Sequence, residues 1–201
     1  DFKLLLIQIK ESFLFFVPKG APYILFIGRV IPLKRVEHIV EAMRSLPEYN
    51  LVICGRCEDS EYLNLLNKKI EEDDIKSRVH FTGAVKPTLI PNYLKNAHCL
   101  VAPSSYEGRS NVILEAMSCE TPIIASDIPS HKEILKDREN SLILGTDLVG
   151  DIIKFVNELN SSQEQRRVII QNAKTKVKEF SWERSANEHL ALYKSVLENN
   201  V

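Results

Sequence analysis

The stretch YILFIGRVIPLK, residues 23–34, joins an unbroken apolar run to a glycine and a short loop carrying two cations. Five consecutive apolar residues, rich in β-branched and aromatic types, read as a strand with no polar face. A strand buried on both sides belongs to a parallel sheet covered by helices. Gly28 ends the run. Helical periodicity follows over 34–46, with Val36, Ile39, Val40 and Met43 on one face. Strand, glycine and helix together form the repeating unit of an α/β sandwich.

The unit recurs in both directions along the chain. LVICG (51–55) reads as a second strand, followed by a helix over 61–71 with Leu63, Leu66 and Ile70 inward. RVHFTG (78–83) is a third strand with a short helix over 89–96, and CLVAPS (99–104) a fourth with a helix starting over 112–117. TPIIAS (121–126) and SLILG (141–145) are the fifth and sixth. Residues 151–201 read as helical, broken at Phe180, Ser181 and Trp182, with Ser181 as N-cap of the last helix. Right-handed crossovers turn this order into a doubly wound, Rossmann-like parallel sheet in one α/β domain. A ligand of such a sheet sits beyond the carboxyl ends of the strands, where the strand order reverses. The loops after Gly28, Gly55, Gly83, Ser104 and Ser126 are therefore the ones to inspect.

Bulk properties narrow the function. The chain has 201 residues, 44% hydrophobic and 26% charged, with a formal net charge of −1. This is the balance of a globular domain with a core, and it gives no reason to expect nucleic acid as a partner. Four cysteines, at 54, 57, 99 and 119, lack the second pair or histidine that a zinc set needs. Cys54 and Cys99 sit in apolar runs, so reduced structural thiols and a cytoplasmic location are expected. The leading segment, DFKLLLIQIKESFLFFVPKG, is apolar but interrupted at Lys10, Glu11 and Ser12, too short on either side to span a membrane. It suits peripheral contact with a membrane face or with a neighbouring domain, and it does not resemble the start of a complete protein.

Two loops carry candidate chemistry. After the first strand, Gly28 permits a close backbone approach, Arg29 and Lys34 flank the turn, and the helix beginning near Lys34 adds its positive N-terminal end; together they suit a diphosphate, although two solvated charges beside a turn explain this loop alone more simply. No G-x-G-x-x-G dinucleotide fingerprint is present. After the fourth strand, SSYEGRSNVILEAMS (104–118) holds Glu107 and Glu115, eight positions apart. Gly108 separates them into one loop carboxylate and one helix carboxylate. Ser110 or Asn111 is the expected N-cap, leaving the amides near Gly108, Arg109, Ser110, Asn111 and Val112 to face an anion. By spacing alone, a capped helix with an incidental glutamate in each half explains this stretch more simply. The acidic run Glu71, Glu72, Asp73, Asp74 reads as a solvated helix end; His131, which follows the fifth strand, reads more simply as a surface residue than as a lining of the cleft.

Taken together, YILFIGRVIPLK, SSYEGRSNVILEAMSCETPIIASD and the ending FSWERSANEHLALYKSVL resemble the donor-binding half of retaining, GT-B-type glycosyltransferases of family 4, the glycosyl transferases group 1. The resemblance runs from about residue 23 to 197. It implies that Arg29 and Lys34 hold the diphosphate of a UDP- or GDP-linked sugar. It implies that Glu107 lies against the transferred sugar and Glu115 binds the nucleotide ribose. It implies further that amides around 108–111 cap the phosphates, and that the loop at 83–85, including Val85, meets the base. No metal and no separate cofactor are implied. Where family members carry glycine, this sequence has Arg35, Glu120, Pro129, Arg138 and Ser141 among others, and it has only 7 glycines in all.

A GT-B enzyme has two such halves, with the acceptor half first. The expected organisation is a linker or N-terminal segment at 1–20, the nucleotide-sugar domain at 21–180, and a C-terminal helix at 181–201 packing toward an acceptor domain. The expected activity is transfer of a hexose-type sugar to a glycan, lipid-linked saccharide or polysaccharide. The alternative is a non-catalytic nucleotide-sugar-binding subunit that works with a separate acceptor chain.

Overall fold

The computed structural model describes residues 20–198; the leading apolar segment read above lies outside the described residues, except Gly20. Six strands form one parallel sheet: β1 (Tyr23–Ile27), β2 (Asn50–Cys54), β3 (Val79–Gly83), β4 (Cys99–Ala102), β5 (Ile123–Ser126) and β6 (Leu142–Leu144). Their order is β3-β2-β1-β4-β5-β6. The chain moves outward one way from β1 to β3 and the other way from β4 to β6, so the switch falls between β1 and β4.

The helices are α1 (Val36–Ala42), α2 (Ser60–Glu72), α3 (Ile90–Asn96), α4 (Asn111–Ser118), α5 (Pro129–Lys132), α6 (Leu148–Ser161), α7 (Gln163–Lys176) and α8 (Trp182–Glu198). Each central strand buries side chains alternately on two faces. Ile24 and Phe26 of β1 join Leu51, Ile53, Val101 and Ile124 in a core beneath α1, α2 and α6. Tyr23 and Leu25 join Val52, Leu100, Ala102 and Ile123 in a second core beneath α3 and α4. Both faces are covered, which is why the strand sequences show no apolar–polar alternation.

The reading of the sequence holds with local corrections. The first helix is preceded by a 3₁₀ turn, Pro32–Lys34, and Arg35 between them is left-handed at φ 53°. The inward face of α2 runs through Tyr62, Leu66 and Ile70 rather than Leu63, because Tyr62 reaches the Glu37 carboxylate across the groove to α1. The C-terminal helical region has a further break at Ser162, whose hydroxyl caps α7. Ser181 caps α8 as expected, accepting the Arg184 N–H at 3.1 Å. Three of the residues read above as replacing glycines of the resembled family, Arg35, Glu120 and Arg138, lie at φ 53°, 60° and 59°. The turns are thus kept in glycine-like backbone form by bulkier residues, at about 1 kcal/mol each.

Cys54 and Cys99 are buried and all four cysteines are free thiols. The acidic run ends α2 as a solvated charged cap: Glu72 pairs with Lys68, Glu71 with Lys76 and Asp73 with Arg44. Among the described residues, no helix is long and apolar enough to cross a membrane.

Candidate functional site

The strand ends on one side of the switch are laced together by backbone. Gly28 N–H donates to the Cys54 carbonyl at 2.9 Å, Gly55 N–H to the Gly83 carbonyl at 2.8 Å, and Val30 N–H to the Arg56 carbonyl at 2.8 Å. Gly55 is required sterically: a Cβ there would lie 1.7 Å from the Gly28 carbonyl oxygen. Gly28 itself sits at φ 152°, a value side chains oppose. The sequence makes β1 and β2 end at the same level, so the loop after β1 leaves the sheet at a fixed angle.

Across the switch, the β4 loop is clasped to the β1 loop. Both the N–H and the hydroxyl of Ser105 donate to the Leu33 carbonyl, at 2.9 and 3.1 Å. This clasp sets Lys34 against Glu107, and the two form an ion pair with only 16% and 15% of their side chains exposed. Ser104 adds a hydroxyl hydrogen bond to the same Glu107 oxygen at 2.9 Å. One carboxylate therefore collects a cation and a hydroxyl donor at the point where the strand order reverses. Charge-assisted bonds of this kind hold side chains firmly.

The remaining expected residues are distributed around that pair. Arg29 and Arg109 are exposed and have no ion-pair partner among the described residues. Gly108 is exposed and open, with nothing near where a Cβ would stand. Ser110 occupies the N-cap position of α4, but its hydroxyl makes no cap bond; it is buried and unpartnered, so the first-turn amides beginning at Asn111 and Val112 stay free of a side-chain cap. Glu115 is exposed on α4, and partial burial of its carboxyl raises its pKa above the usual carboxylate range. Val85, two residues beyond the end of β3, is half-buried against the second core.

One expectation is overturned. His131 is not a surface residue: it is fully buried, with Nδ1 2.9 Å from the Ser126 carbonyl. The short helix α5 turns inward at the end of β5 because Ile128 N–H and the His131 and Lys132 amides fold back on Ser126 and Ile128 carbonyls. Burial lowers its pKa; the Ser126 bond and nearby Glu107 raise it, and Lys34 lowers it. The loops after Gly55 and Ser104 and the position of His131 after the fifth strand were visible in the sequence, but the partners of Ser104, Ser105, Gly55 and His131 were not, since each depends on loops brought together by the fold.

Chemically, the edge offers exposed guanidinium groups, uncapped amides at a helix start, an ammonium group and two carboxylates. Cations and free amides suit phosphate oxygens, and carboxylates suit paired hydroxyls. A phosphorylated, hydroxylated ligand matches all of them, and no cluster of metal-ligating side chains occurs among the described residues.

Comparison with known proteins bears on the fold and the family. An uncharacterized glycosyltransferase of Methanocaldococcus jannaschii is 32% identical over 179 residues, covering 87% of this chain and 45% of that protein. The chain spans about half the length of the curated relatives it matches. Among solved structures, Anabaena HepE in complex with UDP-glucose superposes with a TM-score of 0.79 at 18% identity, over 96% of this chain and 52% of that one. The C-terminal domain of a glycosyl transferase group 1 family protein of Francisella tularensis superposes with a TM-score of 0.72 at 24% identity, over 79% of this chain and 85% of that domain. The family model described as glycosyl transferases group 1 matches residues 8–176, most of the sequence. The chain belongs to the glycosyl transferases group 1 family.

Proposed function

We propose that this chain is the C-terminal, donor-binding half of a retaining GT-B glycosyltransferase of family 4. It binds a UDP- or GDP-linked hexose for transfer to a glycan, lipid-linked saccharide or polysaccharide. The observation that carries this reading is the meeting of Lys34 and Glu107 at the β1–β4 switch. The UDP-glucose held by the Anabaena protein is a ligand of the proposed class, and the Francisella domain supports the C-terminal assignment.

In this reading Arg29, Lys34 and the α4 amides receive the diphosphate, and Glu107 faces the sugar. Glu115 takes the ribose hydroxyls, and Val85 lies on the side of the base. Breaking the sugar–phosphate bond leaves negative charge on the nucleoside diphosphate and positive character on the sugar. Fixed cations and amides stabilise the leaving group by preorganised electrostatics without a metal. Glu107 positions the sugar and offsets its developing charge.

The exposed apolar side chains of α8, Leu190, Tyr193, Val196 and Leu197, with Trp182 at 92% exposure, suit burial against an acceptor half. Without that half, the domain binds its donor but transfers poorly, because nothing positions an acceptor. Calorimetric titration with UDP-glucose and GDP-mannose tests the reading. Saturable binding of one of them, lost in Lys34→Met, is the expected result; no heat from either at millimolar concentration refutes it.

A further inference from the structure

A chain of hydrogen bonds runs beneath the Lys34–Glu107 pair and ends on an imidazole. The Ser104 hydroxyl donates to Glu107, the Ser126 hydroxyl donates to the Ser104 carbonyl at 2.5 Å, and His131 Nδ1 lies 2.9 Å from the Ser126 carbonyl. A carbonyl only accepts, so Nδ1 bears the proton and Nε2 of the neutral ring presents a lone pair. That Nε2 is buried and has no hydrogen-bond partner. Two charged groups act on the ring: Glu107 from the β4 loop and Lys34 from the β1 loop. On its own helix, Lys132 is exposed and pairs with Asp127 at 2.8 Å.

Because Lys34 and Glu107 are paired, their effects on the imidazole oppose each other. A ligand diphosphate that engages Lys34 removes the cation from this balance and leaves the carboxylate in a poorly hydrated place. An uncompensated charge there is costly. We propose that His131 is a charge-compensating positioning residue of the donor site: when a diphosphate draws Lys34 from Glu107, one proton from solvent settles on His131 Nε2, and the imidazolium takes over the neutralisation of the carboxylate. The ring gains one positive charge, and no other bond is made or broken. The diphosphate trigger rests on the donor-binding reading above; the coupling between His131 and the ion pair does not.

The first arm of the test needs no ligand. Long-range nitrogen–proton NMR of the imidazole rings, with His131 assigned by its loss in His131→Asn, gives tautomer and titration midpoint. The wild-type ring shows the Nδ1–H tautomer, and Lys34→Met, which removes the opposing cation, raises the midpoint by about one pH unit or more. If Lys34→Met does not fold, Glu107→Gln must lower the midpoint instead. An Nε2–H tautomer, or a midpoint unmoved by these substitutions, overturns the proposal.

The second arm titrates UDP-glucose, whose phosphates do not change protonation near neutrality, in two buffers of different ionisation heat at pH 6.5. Uptake approaching one proton per bound ligand is expected, and it disappears in His131→Asn, whose amide can still donate to Ser126. Binding without uptake refutes the compensation. No binding refutes the donor reading and the diphosphate trigger with it, while the NMR titration still decides whether His131 answers the lysine.

Discussion

Replacing Gly55 with alanine should damage the loop after β1, to which the proposed function assigns the diphosphate, from a distance. The added methyl carbon would stand 1.7 Å from the Gly28 carbonyl oxygen and 2.8 Å from its carbon, both backbone atoms that no rotamer change can move. Carbon and oxygen approach no closer than about 3 Å, so the ends of β1 and β2 must part by more than about 1 Å. Separation at that level strains the Gly28–Cys54 and Val30–Arg56 backbone bonds, each 2.8–2.9 Å long. Overpacking costs about 1–3 kcal/mol and each weakened bond about 1 kcal/mol, so a loss of about 3 kcal/mol is expected. For a domain of this size that lowers Tm by about 6–12 °C. The same displacement carries Arg29 away from its place, and UDP-glucose affinity should fall at least about tenfold, or ~1.4 kcal/mol. Urea unfolding followed by circular dichroism measures the first quantity, and calorimetry at low temperature the second. Gly108→Ala is the control, since that site is open and its stability should be unchanged. A Gly55→Ala protein with native Tm and native affinity refutes the claim that this contact sets the loop.

Other consequences are equally direct. Glu120 follows α4 in a Schellman turn, with Thr121 N–H on the Ala116 carbonyl at 3.0 Å and φ 60°, so Glu120→Gly should raise stability by about 1 kcal/mol despite losing an exposed ion pair with Lys174; denaturant midpoints check it. Burial pushes the Cys54 and Cys99 thiols up to about 11 and about 12, so a thiol reagent at pH 8 should label at most Cys57 and Cys119 until the chain is unfolded. The Glu115 carboxyl titrates above its unfolded value because its ionised form is partly desolvated. Its charge therefore disfavours the fold at neutral pH, and the penalty vanishes once pH falls below the unfolded carboxylate value. Glu115→Gln should be more stable than wild type at pH 7, equal to it near pH 3, and weaker in binding UDP-glucose; paired pH-stability curves and titrations decide.

The sheet was legible because burial on both faces writes itself into composition: the runs 23–27, 51–54, 99–102 and 123–125 have no polar positions to spare. Right-handed crossovers implied a doubly wound sheet, but the strand order, and with it the switch between β1 and β4, comes from the structure. What stayed hidden were contacts between segments far apart in sequence. Ser105 reaches Leu33 and Lys34 reaches Glu107 across more than seventy positions, and no local pattern encodes either. His131 was misjudged because a lone histidine among Pro129, Ser130 and Lys132 looks like a polar turn. Only the inward fold of α5 against β5 buries it. Leu63 yielded its place to Tyr62 for a similar reason: the hydroxyl's partner, Glu37, lies on another helix.

The substituted glycines bear on which properties of the site are fixed. At Arg35, Glu120 and Arg138 the backbone is left-handed without the glycine that would make it cheap. Arg138 offsets part of that cost through its ion pair with Glu158 and Glu120 through Lys174, whereas Arg35 has no ion pair among the described residues. Arg35 directly follows Lys34 and ends the 3₁₀ turn that presents the lysine to Glu107. Its strain is therefore carried at the one turn whose geometry the ion pair requires, and relaxing that turn into ordinary helix would rotate Lys34 off the switch. Turn shape, rather than turn composition, is what the site depends on. That is why a chain so poor in glycine can still bring a lysine and a carboxylate from distant loops to the same point.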